Sequence, residues 1–162
     1  MRRHLAVLAT ALLVAPAAWS QGTGIDMGGL TQDTGLPVEV DAEQLEVNQT
    51  DGTAVFTGGV TVTQGEMTLT AERVQVVYAS GEQGRIQEMQ ASGGVTLVTP
   101  EEAAESQEAV YEIESGNVTM TGEVLLTQGP NTLSSDRLVI DLTTGTGTME
   151  GGVRTIFQTG DN

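Results

Sequence analysis

Any chemistry in this chain would have to be done with carboxylates. The sequence holds 22 Asp and Glu against six Arg and one His, with no Lys and no Cys, and its formal net charge is −16. Two facing carboxylates can hydrolyse a glycoside when their environments separate their pKa values. No acid here stands in a setting that would single out such a pair. Without Lys, Cys or a second His there is no thiol or amine nucleophile and no usual base poised near neutrality. Zinc lacks its thiolate and imidazole ligands, and the acids spell neither an EF-hand loop nor a glycine–aspartate calcium repeat. The residues therefore point to a protein that is not an enzyme and needs no metal or cofactor.

The cations are as informative as the acids. Arg2, Arg3 and His4 lie in an N-terminal stretch that reads as an export signal, a positive start followed by the apolar run "LAVLATALLVAPAA". Small residues suit cleavage after Ala17 or after Ser20, so residues 1–20 are expected to be removed. No cysteine is available for lipid attachment. The mature chain is then expected in the periplasm, with only Arg73, Arg85, Arg137 and Arg154 against all 22 acids. A surface this negative repels a phosphate backbone, which excludes nucleic acid as a partner. Arg73 and Arg137 are the candidate contacts for an isolated phosphate. Their competing role is to pair with a neighbouring acid, Glu72 or Asp136.

Those two arginines occupy equivalent places in an internal repeat. "FTGGVTVTQGEMTLTAERVQV" from Phe56 and "MTGEVLLTQGPNTLSSDRLVI" from Met120 superpose without a gap. One half-motif, apolar-x-Gly-x-Val, recurs around Gly58, Gly93, Gly122 and Gly151. The other, a small residue, then Glu, Gln or Asp, then alternating apolars, recurs from Ala42, Ala71, Ser106 and Ser135. From each of the first three glycines to the next small residue is 13 positions; from small residue to glycine is 16 three times and 22 once. The long interval contains "ASGEQGR", expected to be a loop insertion.

Within each copy the apolar period is two, as in Val60, Val62 and Leu69 among threonines, which is the mark of a strand with one wet face. Turn chemistry at Gly52, Gly65, Gly116 and Gly129 separates about a dozen strands. The phase slips at the same place in every copy: Leu69 and Ala71 are odd, Val74 and Val76 even. Such a slip implies a bulge or corner, where Ala or Ser fits the cramped inner side. The half-motif glycines are expected in phase with the inward residues. The domain is expected over 37–158, with a flexible leader at 21–36 and a tail at 159–162.

These half-motifs, four times over behind an export signal, resemble the OstA-like family of lipopolysaccharide-transport proteins across about residues 37–157. The resemblance implies an all-β fold: a twisted, open-ended antiparallel β-jellyroll built from four repeats. It also implies a soluble periplasmic carrier of lipopolysaccharide. Acyl chains of lipid A would be shielded inside, and copies would join head to tail by edge-strand addition, bridging inner and outer membranes. The related β-domains of inner-membrane LptC and outer-membrane LptD would be partners at either end. A short, cleavable leader argues against LptC and the absence of a long C-terminal barrel segment argues against LptD, so the soluble member of the family is expected. The inward residues would line the lipid site: Phe56, Val60, Val62, Leu69, Val74, Val76, Val95, Leu97, Tyr111, Met120, Val124, Leu126, Leu133, Leu138 and Ile140, with Ile86, Ile113 and Met149 beside them. The same residues could instead form a solid core in a scaffold or polysaccharide-binding roll, or the chain could be an LptC-like member. Composition alone admits each.

Overall fold

The computed structural model describes residues 23–80 and 84–159; the export signal lies outside them. The described residues form eleven strands: β1 (Thr23–Asp26), β2 (Glu39–Asp41), β3 (Gln44–Asn48), β4 (Thr53–Gln64), β5 (Met67–Tyr78), β6 (Ile86–Val98), β7 (Glu102–Glu112), β8 (Asn117–Gln128), β9 (Asn131–Asp141), β10 (Thr146–Glu150) and β11 (Arg154–Ile156). All pairings are antiparallel within one sheet, and neighbours in sequence from β4 to β10 are neighbours in space. Hairpins produce that order at little cost in loop closure, five of the six connections from β4 to β10 containing glycine and the β6–β7 turn containing Pro100 instead.

Each long strand bends once, and the bend folds the sheet onto itself. Thr57 pairs with Arg73 and Val60 with Ala71, so β4 spends two residues where β5 spends one. The same slip separates Ser92 from Val95 on β6 and Thr121 from Val124 on β8. The residues that absorb it are consecutive and left-handed: Gly58 and Gly59 (φ 83° and 58°), Gly93 and Gly94 (84° and 85°), Gly122 and Glu123 (85° and 50°), Gly151 and Gly152 (79° and 61°). Only glycine enters this region freely. The first glycine of each pair is also needed for room, because a Cβ there would lie within 3.0 Å of Glu43, Glu72, Gln107 or Asp136 on the adjacent strand. These four are the polar residues of the second half-motif, so the two halves of the repeat are the two sides of one contact.

The structure corrects the expected orientation of these glycines. They lie half-buried or exposed on the outer side of the corner, while Ala71, Ser106 and Ser135 occupy the cramped inner side. Two left-handed residues in succession turn the chain so that the inward phase resumes at Val60, Val95 and Val124, all buried.

The leader is also corrected. Residues 23–36 are folded on the domain rather than flexible. β1 pairs with β10, Thr23 opposite Met149 through Asp26 opposite Thr146. A 3-10 turn at Gly28–Leu30 follows, and Met27 and Leu30 are fully buried. Part of the C-terminal edge expected to be free is thereby covered. Gly147 makes this possible, since any side chain there would collide with Met27.

Glu123 is the one non-glycine among the described residues with positive φ, and Gln107 Nε2 donates to its carboxylate at 2.6 Å. Glu123→Gly is expected to raise stability by up to about 1 kcal/mol, while Gly93→Ala should lower it by more than about 1 kcal/mol. Denaturant titration checks both; a destabilised Glu123→Gly variant would mean that the Gln107 bond outweighs the backbone strain.

Candidate functional site

The bend sets the inner face of one half-sheet against the inner face of the other, and ladder pairing lines up the inward residues in rows. In one half, Val62, Leu69, Leu97, Ala104, Leu126 and Leu133 stand in register from β4 to β9. In the other, one row runs Leu45, Phe56, Val74, Ala91, Ala109, Met120, Leu138 and Met149. A second runs Val47, Ala54, Val76, Met89, Tyr111, Val118 and Ile140. The rows mix bulky Leu, Met and Phe with small Ala and Val, so that the two inner faces pack together.

Of the residues expected inside, Val60, Val62, Leu69, Val74, Val76, Val95, Leu97, Tyr111, Met120, Val124, Leu126, Leu133, Leu138, Ile140 and Met149 are buried. Phe56, Ile86 and Ile113 are only half-buried, packed against that cluster near its margins. The sequence reading missed Met67, Met89 and Val118, which the period-two pattern could have supplied, while Leu142 is buried in phase with Leu138 and Ile140, as its parity indicates. It also missed Met27 and Leu30, whose setting among glycines carries no period at all.

The interior is nearly full. A cavity of about 20 Å³ lies between the halves among the described residues, lined by Val62, Met67, Leu69, Leu97, Met89, Tyr111 and their neighbours without a polar contribution. That is room for a single water-sized probe. A larger space, about 460 Å³, opens at the margin between Leu36, Val38, Ile86, Ile113, Gln64 and Arg85.

Polar side chains tie the halves at the hairpin tips. Tyr111 Oη donates to Gln64 Oε1 at 2.9 Å, joining a strand of one half to a tip of the other. Gln64 Nε2 donates onward to the carbonyls of Thr34 (3.1 Å) and Leu36 (2.9 Å). Gln128, the equivalent glutamine of the later repeat, donates to the Asp26 carbonyl (2.8 Å) and to Glu102 Oε1 (2.7 Å). Burial pushes the Tyr111 hydroxyl pKa up, keeping it a neutral donor. Glu102 is 5% exposed, and its Oε2 has no hydrogen-bond partner among the described residues.

The candidate phosphate contacts face the other way. Arg73 Nη2 donates to Gln75 Oε1 at 3.2 Å, and Arg137 pairs with Glu150 at 2.8 Å, both on the exposed outer face. The partner is not Asp136, the expected neighbour, because Asp136 is engaged at the corner over Gly151 and Glu150 stands directly across the ladder. No group of three or more metal-ligating side chains occurs among the described residues.

An open antiparallel sheet folded along a row of corners around an aliphatic interior defines the chain as a β-jellyroll with unjoined ends. Residues 39–146 match the family described as LptA/(LptD N-terminal domain) LPS transport protein. The chain belongs to this lipopolysaccharide-transport family and is not an enzyme. Among curated proteins it is similar to the lipopolysaccharide export system protein LptA of Escherichia coli K12, 29% identical over 143 residues, covering 82% of this chain and 70% of that one. An uncharacterised Rhizobium meliloti protein is 28% identical over 142 residues, 83% of this chain and 76% of that one. Among solved structures, LptH of Pseudomonas aeruginosa superposes with a TM-score of 0.69 at 19% identity, covering 78% of this chain and 99% of that one.

Burial, followed by repulsion from Glu101 and Asp26, raises the Glu102 pKa above its ordinary 4.5 despite the opposing bond from Gln128. A carboxyl raised on folding costs stability above its folded-state pKa, and that cost vanishes below the unfolded value. Glu102→Gln is therefore expected to be more stable than the parent at pH 7, with the difference closing as pH falls from the raised folded-state value towards 4.5 and absent below it. Thermal melts at a series of pH values test the sign.

Proposed function

We propose that the chain is a periplasmic lipopolysaccharide carrier that shelters acyl chains of lipid A between the two half-sheets. The observation that carries this is the set of aliphatic rows that run in register through the long strands β4 to β9 and reach an uncovered edge at β3. Leu45 and Val47, which continue two inward rows onto the terminal strand β3, are 53% and 60% exposed. At the opposite end Ile156 and Phe157 are 49% and 70% exposed. Each methylene taken from water into such an interior is worth about 0.8 kcal/mol, so several acyl chains repay a continuous apolar path. LptA is named for lipopolysaccharide export, and LptH is described as the periplasmic component of a lipopolysaccharide transport device.

Exposed apolar residues on unpaired edges favour addition of a further strand. Joining β2 and β3 of one copy to the opposite edge of another is heterologous and does not close, which yields head-to-tail stacks. The same edges would receive the related β-domains of LptC and LptD at the two membranes. Sugars and phosphates remain outside in this scheme. Arg73 and Arg137, on the outer face, could meet only a phosphate lying outside the roll.

One observation favours a solid-cored scaffold instead, namely the small residual cavity. Photo-crosslinking separates the two readings. With a crosslinker at Val62 or Leu126, a carrier should capture lipopolysaccharide, while the outward Thr96 should not; no capture from any position supports the scaffold. For stacking, sedimentation should show species growing with concentration, and Val47→Asp should weaken association about tenfold, as expected for a charge buried in an apolar contact. A strict monomer at high concentration removes the stacking element.

A further inference from the structure

Residues 26–36 lie along the seam where the two rows of hairpin tips face each other, and they bond to both. From the tip joining β9 to β10, the Gly145 carbonyl accepts from the Met27 amide (2.7 Å) and the Leu142 carbonyl from the Gln32 amide (2.8 Å). From the opposite row, Gln64 and Gln128 donate to the carbonyls of Thr34, Leu36 and Asp26. Met27 and Leu30 plug into the aliphatic cluster from this side. The segment thus spans the open side of the fold, opposite the corners.

We infer that residues 26–36 form a releasable latch over this seam, and that the acyl chain of an amphiphilic lipid enters sideways when the latch lifts. The inference rests on the carrier reading above. Three features support it. A cavity of about 20 Å³ cannot admit an acyl chain unless the halves part, and the latch holds them together. Its fastening is shallow: two buried apolar side chains and a handful of hydrogen bonds, against the full ladders elsewhere. At one end Glu102, with an unpartnered buried oxygen, stands near Glu101 and the Asp26 side chain, so this clasp holds together like charges. At the other end an open space of about 460 Å³, bordered by Thr34 and Leu36 of the latch and lined by Val38, Ile86 and Ile113 together with polar residues such as Gln64 and Arg85, offers a partly apolar landing surface.

The chain has no cysteine, which permits a clean test. A Cβ built on Gly29 would stand 3.0 Å from Glu101 Cβ, about 0.5 Å short of the disulfide range, so a small outward shift of the turn brings the pair into bonding geometry; Gly29 is not left-handed. In full-length mature Gly29→Cys/Glu101→Cys protein, uptake of a pyrene-labelled fatty acid and of lipid A should be at least about tenfold weaker or slower when oxidised than when reduced, since a locked latch depletes the competent state. Gln64→Ala/Gln128→Ala should accelerate uptake. Equal uptake in both redox states overturns the latch while leaving the carrier intact, with chains then entering through the ends. No uptake in either state, or in the parent chain, overturns the carrier and the latch together. Hydrogen exchange gives a ligand-free readout: the Met27 and Gln32 amides should exchange at least about tenfold faster than that of Leu126. Equal protection would overturn the latch.

Discussion

The whole architecture depends on one contact, a bare left-handed glycine on one strand covered by a polar side chain from the next. Gly58, Gly93, Gly122 and Gly151 accept Glu43, Glu72, Gln107 and Asp136, and each is followed by a second left-handed residue that supplies the extra length of the bulge. A flat sheet of strands this long would leave its apolar face in water. Bending every strand at one level turns that face upon itself and needs no second sheet. The outer side of the bend is where acids are cheapest to keep, because their charge stays in water.

Folding by corners differs from closing a barrel in what it leaves unsatisfied. The long strands β4 to β9 are paired on both sides, whereas β2, β3 and β11 have one free edge. Inward rows that reach β3 have no next strand to cover them, which is why Leu45 and Val47 are exposed despite their phase. In the proposed stacking a second copy is that cover, because it carries the same spacing and the same rows. An open roll thus makes storage and stacking consequences of one geometry: the interior that could hold a chain in one copy would continue into the next.

The side opposite the corners is managed by polar chemistry. Gln64 and Gln128 look in the repeat like mere turn residues, yet their amides fasten the N-terminal segment to the tips, and Gln64 also receives the Tyr111 hydroxyl from the other half. A buried amide bonded to carbonyls and a phenol satisfies itself without introducing charge. Glu102 is the exception, and its half-satisfied carboxylate marks the weakest point of the closure. Stability elsewhere comes from ladders and aliphatic packing, so the molecule concentrates its marginal contacts along one line.

What could be read without coordinates was local and repeated. Alternation such as Val60, Thr61 and Val62 encodes a two-faced strand within a few residues, and its slip between Leu69 and Val74 encodes the corner, because side-chain direction follows backbone parity. That is why the inward residues were legible while the glycines were assigned to the wrong side: parity does not reveal that two successive residues are left-handed. The sequence by itself thus determined the strands, the turns, the bend in each repeat and the acidic outer face. Only the tertiary structure decided that Met27 enters the gap left by Gly147, that Gln128 reaches the Asp26 carbonyl across 102 positions of chain, and that the seam is bridged at all. Contacts between distant segments leave no period in the chain, and they exist only once the corners have brought the two rows of tips together.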